Sequence, residues 1–127
     1  MPVQHSFDYA IIRVTPRLDR GETINAGVVL FCRTRRFLAA PTHCDAVRLH
    51  MLDHNCDIAS VAEHLAVFSG VARGDHAYGP IARLPIAERF HWLVAPRSTI
   101  ITTTPVHCGV CDDPDATVQT LFQKLVL

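Results

Sequence analysis

Lysine is nearly absent from this 127-residue sequence: of twelve basic residues only Lys124 is not arginine, and twelve acidic residues bring the formal net charge to zero. That balance removes the usual electrostatic case for nucleic acid or an anionic membrane as the main partner. Long apolar runs are missing too, none approaching the ~18 residues a membrane span needs. The opening "MPVQHSFDYAIIRV" has no basic start, no apolar h-region and no small-residue cleavage site, so a cytoplasmic protein is expected. In that compartment its five cysteines would be reduced, and an odd count does not make a complete disulfide framework. No G-x-S-x-G, phosphate-binding P-loop, G-x-G-x-x-G or kinase-type set occurs, and no nucleophile stands beside an evident base. No catalytic residue can be named, and neither a cofactor nor a metal is expected.

What is present is the composition of a globular domain. Hydrophobic residues make up 49% and charged residues 19%, and disorder would need fewer of the first and a larger net charge. A chain of this length buries roughly two-thirds of its unfolded surface, so residues 1–127 are expected to form a single domain around one core. Residues 7–14, "FDYAIIRV", are apolar on both faces, as in a central strand. After a loop punctuated by Pro16 and Gly21, "INAGVVLFCR" makes a second strand and "FLAAPTH" (Phe37 to His43) a third, with Pro41 at its end. The period then changes. Residues 45–53 suit a short helix, Asp57 caps a longer one running to about Arg73, and Pro85 opens another that stops before Pro96. "STIITTT" (Ser98 to Thr104) is a strand able to join the sheet. Asp113 as cap, Pro114 in the first turn and an apolar stripe from Val118 to Val126 mark a C-terminal helix. The expected architecture is α+β, an antiparallel sheet of about three to four strands with helices packed on it, the C-terminal helix among them.

The stretch "RGETINAGVVLF" (Arg20 to Phe31) puts a polar cluster at the mouth of the second strand. With Arg13 opposite Asn25, Ile11 would face Gly27 and Tyr9 would face Val29, and Asn25, Gly27, Val29 and Phe31 would share a face. Glu22 in the adjoining loop would then reach the Arg13 guanidinium, and Gly27 would leave room for a side chain or a ligand. An arginine held by a carboxylate and an amide binds a phosphate or carboxylate, or ties a loop down. Arg97, in "APRST", is placed to join either arrangement.

"HCGVC" (His107 to Cys111) holds the one close cysteine pair. C-x-x-C is half of a zinc site or a redox dithiol, but a zinc ribbon needs a second such pair, and a thioredoxin-type motif opens a helix early in a βαβ unit. Cys32, Cys44, Cys56 and the other histidines are scattered. His50 and His54 stand one helical turn apart without the glutamate of H-E-x-x-H, and read as surface imidazoles. His64 and His91 fall on or beside apolar helix faces, where a partly buried imidazole is expected.

The blocks "FDYAIIRVTPRLDRGETINAGVVLFCR", "ERFHWLVAPRSTI" and "TPVHCGVCDDPDA" together resemble the DUF3037 family, small bacterial intracellular proteins of unknown function, over almost the whole chain. The resemblance implies a protein partner, a HipA-like kinase-fold neighbour, and supplies no catalytic residue; it draws attention to Arg13, Glu22, Asn25, Gly27 and Arg97. Two functions follow. The first is an accessory or interaction protein, more readily a binding partner than an enzyme. For it, "RTRR" (Arg33, Arg35 and Arg36) between Phe31 and Phe37 is the candidate surface, since arginine and aromatic residues are the usual hot-spot types. The second is an anion- or nucleotide-binding domain, or an enzyme, using the Arg/Glu/Asn cluster.

Overall fold

The computed structural model of the protein describes residues 4–127. Strands β1 (His5–Val14), β2 (Ile24–Cys32) and β3 (Phe37–Ala39) form an antiparallel meander. Helices α1 (Ala46–Leu52), α2 (Ile58–Arg73) and α3 (Ile86–Leu93) follow, the last two separated by short 3-10 turns at His76–Tyr78 and Pro80–Arg83. The chain closes with β4 (Ile101–Thr103), β5 (His107–Cys111) and α4 (Pro114–Leu125). The fold is therefore α+β, with a five-stranded antiparallel sheet in which β1 is central, β2 on one side and β4 and β5 in succession on the other.

The sheet lies between two layers of helix. On one face Ile12, Val14, Val29 and Phe31 pack with Leu65, Phe68 and Val71 of α2 and Phe90 and Leu93 of α3. On the other, Phe7, Val28, Leu30 and Cys32 pack with Val118 and Val126 at α4. Coverage of both faces explains why β1 and β2 are apolar on both sides instead of alternating. The helix starts follow their caps: the Asp57 carboxylate accepts from Ser60 N–H, and that of Asp113 accepts from the N–H groups of Asp115 and Ala116, with Pro114 in the first turn where its missing donor costs nothing. Gly74 ends α2 at φ 71°, a left-handed conformation that favours glycine.

Two features differ from the expected arrangement. "HCGVC" is a strand, pairing with β1 from His5↔Cys111 to Tyr9↔His107. It and β4 are one edge strand interrupted near Pro105, which cannot donate to a ladder. The second is a bulge between β1 and β2. Arg13 does stand opposite Asn25, but the register shifts there, so Ile12, not Ile11, faces Gly27, and Tyr9 faces Leu30. The extra residue turns Asn25 to the α4 side, while Gly27 remains with Val29 and Phe31 on the α2–α3 side. Among the described residues no helix is long and apolar enough to cross a membrane.

Candidate functional site

At the strand mouth, Arg13 donates from Nε to Asn25 Oδ1 at 3.2 Å, and Asn25 donates from Nδ2 to the Leu125 carbonyl at 2.9 Å. The bulge makes this relay: by turning Asn25 toward α4 it joins an exposed arginine to the last turn of the C-terminal helix, whose carbonyls have no intrahelical donors. Glu22 does not reach Arg13. It accepts from Arg20 Nε at 2.6 Å, both side chains being about half exposed. An exposed pair of that kind contributes little, so Glu22→Ala is expected to change the unfolding free energy by less than about 0.5 kcal/mol in a urea titration. The space above Gly27 is filled. A Cβ there would lie 2.8 Å from the Pro41 carbonyl oxygen and 2.9 Å from atoms of Ile12 and Thr42, because residues 41–43 run alongside β2. His43 N–H bonds to Ala26 O at 2.7 Å and Val28 N–H to Pro41 O at 3.1 Å.

Arg97 is placed by α3 instead. Its Nη1 donates to the carbonyls of Leu93 and Ala95 and its Nη2 to that of Trp92, at 2.8–3.1 Å, closing the C-terminus of α3. The guanidinium lies over the Phe68 and Trp92 rings, 5.0 and 4.8 Å from their centroids. Burial lowers its pKa from the usual arginine value. Around this group opens a cleft of about 330 Å³ lined by His64, Val67, Phe68, Trp92, Arg97, Thr99, Ile100 and Ile101. Sequence reasoning picked out Arg97 without the cleft. The missed signal is the spacing of His64, Val67 and Phe68, which share a face of α2. His64 stands exposed at the rim and His91 is exposed as well, so neither is the partly buried imidazole expected.

In the turn after β2, Arg33, Arg35 and Arg36 are all exposed. Arg33 sits over the Phe31 ring at 5.5 Å, Arg35 donates to Asp112 O at 3.2 Å, and Arg36 adopts φ 50°. The flanking rings are committed elsewhere: Phe31 is buried and stacks on Phe90 at 5.0 Å, and Phe37 packs toward α4.

A strand separates Cys108 and Cys111 by three residues and so turns their side chains to opposite faces. Cys111 is buried on the α4 side beside Cys32, and burial pushes its thiol up. Cys108 is exposed and donates to Asp8 Oδ1 at 3.1 Å. That bond, followed by the carboxylate's charge, raises its pKa, since both favour the neutral thiol. Asp8→Asn removes the charge, returns the pKa toward the ordinary value and is expected to raise the rate of Cys108 alkylation by iodoacetamide at pH about 8 several-fold. Among the described residues no group of three or more His, Cys, Asp or Glu is placed to hold a metal ion.

Compared with known proteins, residues 9–126 match a family model described as "Protein of unknown function (DUF3037)", nearly the whole chain, and the chain belongs to that family. No curated protein and no solved structure matches it.

Proposed function

We propose that this member of the DUF3037 family is an accessory protein that binds a protein partner through the α2–α3 cleft. The observation that carries the reading is the cleft's combination of apolar walls with an arginine three of whose five N–H donors are already taken. Small-molecule sites fix their ligand with a few free, convergent polar groups, whereas here the Arg97 Nη atoms serve the carbonyls of Trp92, Leu93 and Ala95. A bulky apolar side chain from a partner would gain from burial against Phe68, Trp92 and Ile100 without needing such a group. Tryptophan and arginine are also the residue types in which interface energy concentrates.

The partner that the family resemblance implies is a HipA-like kinase-fold protein in the bacterial cytoplasm, and the exposed Arg33, Arg35 and Arg36 would supply a polar part of the contact. The alternative, an anion- or nucleotide-binding domain or an enzyme built on Arg13, Glu22, Asn25, Gly27 and Arg97, has less geometric support. Those groups do not converge: Glu22 holds Arg20, and Arg97 holds the end of α3.

The test is titration calorimetry of the purified protein against the kinase-fold neighbour from the same genome. Wild type is expected to bind, and Val67→Glu, which places a charge in the cleft wall, to weaken binding at least tenfold. Arg33, Arg35 and Arg36 changed together to Ala should weaken it less. Equal affinity for wild type and Val67→Glu would remove the cleft from the interface. No binding by wild type, together with saturable binding of a nucleotide that Arg13→Ala abolishes, would favour the alternative.

A further inference from the structure

Among the described residues, β5 pairs with β1 on one side and with no strand on the other. In an antiparallel ladder, alternate residues turn both backbone groups to the same neighbour. Thr104 N–H bonds to Ile11 O at 3.0 Å, so Ile11, Tyr9 and Phe7 serve this side of β1 and engage the backbone of His107 and Gly109, their partners in the register. The N–H and C=O groups of Cys108 and Val110 are left turned outward, away from the sheet. Neither helix layer reaches this corner: Cys108 is exposed, and Val110 and Val106 are 62% and 41% exposed. Sheet edges are ordinarily guarded by lysine, by proline within the strand or by a covering element. In β5 the sequence is His-Cys-Gly-Val-Cys, with no such guard.

From this geometry we infer that β5 is the contact for a second copy of this chain, two β5 strands pairing antiparallel about a two-fold axis into a sheet continuous across both molecules. The strand is complementary to itself in the register that places Gly109 opposite its own copy. There Cys108 and Val110 of one chain exchange backbone hydrogen bonds with the partner's Val110 and Cys108, which are the groups left free. The closest approach falls at Gly109, which carries no Cβ. Phe7 already lies over that residue: a Cβ on Gly109 would meet the ring's Cζ at 2.6 Å, so the glycine is held by packing within one molecule and is available to the contact between two. The formal net charge of zero removes the like-charge repulsion that opposes self-association. Val110 of each chain gains cover from its neighbour.

The contact is small, so the dimer should be weak, with a dissociation constant of about 10–100 μM. Sedimentation velocity with reductant present, from about 1 μM to about 1 mM, is expected to show monomer giving way to dimer. Hydrogen exchange at the two ends of that range should show the Cys108 and Val110 amides slowing at high concentration. Val110→Pro removes a donor that faces outward and leaves the β1 ladder intact, and Val110→Lys brings two cations into diagonal proximity across the new pairing. Each should raise the dissociation constant at least tenfold while circular dichroism stays that of wild type; the lysine variant stands alone if proline disturbs the strand. A wild type that remains monomeric throughout, a dimer that disappears with reductant, or a dimer equally populated in the lysine variant overturns the inference. Slowing of the Cys108 and Val110 amides only when another protein or an extended peptide is added overturns it in favour of a foreign strand.

Discussion

Arg97→Ala is expected to lower the unfolding free energy by about 2–4 kcal/mol, measured by urea denaturation. The substitution leaves the carbonyls of Trp92, Leu93 and Ala95 without the Nη donors that now reach them, and an orphaned, partly buried acceptor costs on the order of 1–3 kcal/mol. It also strips the guanidinium from over the Phe68 and Trp92 rings, a contact of roughly 0.5–2 kcal/mol when sheltered from water. Arg97→Lys should recover less than half of the loss, because an ammonium cannot reach three carbonyls from one plane or stack on two rings. A loss below about 0.5 kcal/mol for the alanine variant, the level of an ordinary surface site, would mean that water replaces the guanidinium without penalty.

The second large effect belongs to Gly27. Valine there places its Cβ within 3 Å of the Pro41 carbonyl oxygen and the Ile12 Cδ1 atom. The oxygen is fixed by its bond from Val28 N–H, so relief requires residues 41–43 to lift off β2 or Ile12, fully buried, to leave its rotamer. Overpacking of this kind costs about 1–3 kcal/mol and more where backbone must move, so a loss of about 3 kcal/mol or more is expected, with Gly27→Ala intermediate. Faster exchange of the Val28 and His43 amides would locate the damage. Stability equal to wild type would show that the neighbouring segment yields freely.

Much of the fold was legible because it is written in local chemistry. Asp57 and Asp113 cap the helices they were expected to cap, and the mostly apolar residues on both faces of β1 announced a central strand. Two things were not legible, for different physical reasons. A bulge is a one-residue choice between registers, and Ala26 gives no sign of being the residue passed over; yet that choice decides whether Asn25 faces α2 and α3 or reaches Leu125. The strand at "HCGVC" was obscured because its residue types suggest chemistry, whereas its strand character comes from Tyr9 and Phe7, about a hundred residues earlier. At the strand mouth the same limits apply. The Arg13–Asn25 contact follows from the pairing, but Glu22 had two arginines in range, and a two-residue separation favoured Arg20. Arg97 was visible as an arginine beside a helix end, though not as the floor of a cleft whose other walls come from α2.

The central position of β1 carries a consequence for how the chain acquires its shape. One neighbour, β2, follows within a short loop, but the strand on the other side pairs His5 with Cys111, a separation of roughly 100 residues. At a synthesis rate of about 5–20 residues per second, the β1–β2 hairpin, complete at Cys32, waits on the order of 4–16 s for the strand that ends at Cys111. Through that interval the most apolar ribbon in the protein has an unsatisfied edge, and its α4 face is also bare. High contact order of this kind makes folding slow once the chain is complete. It also makes the nascent hairpin, rather than the finished domain, the species most exposed to misassembly.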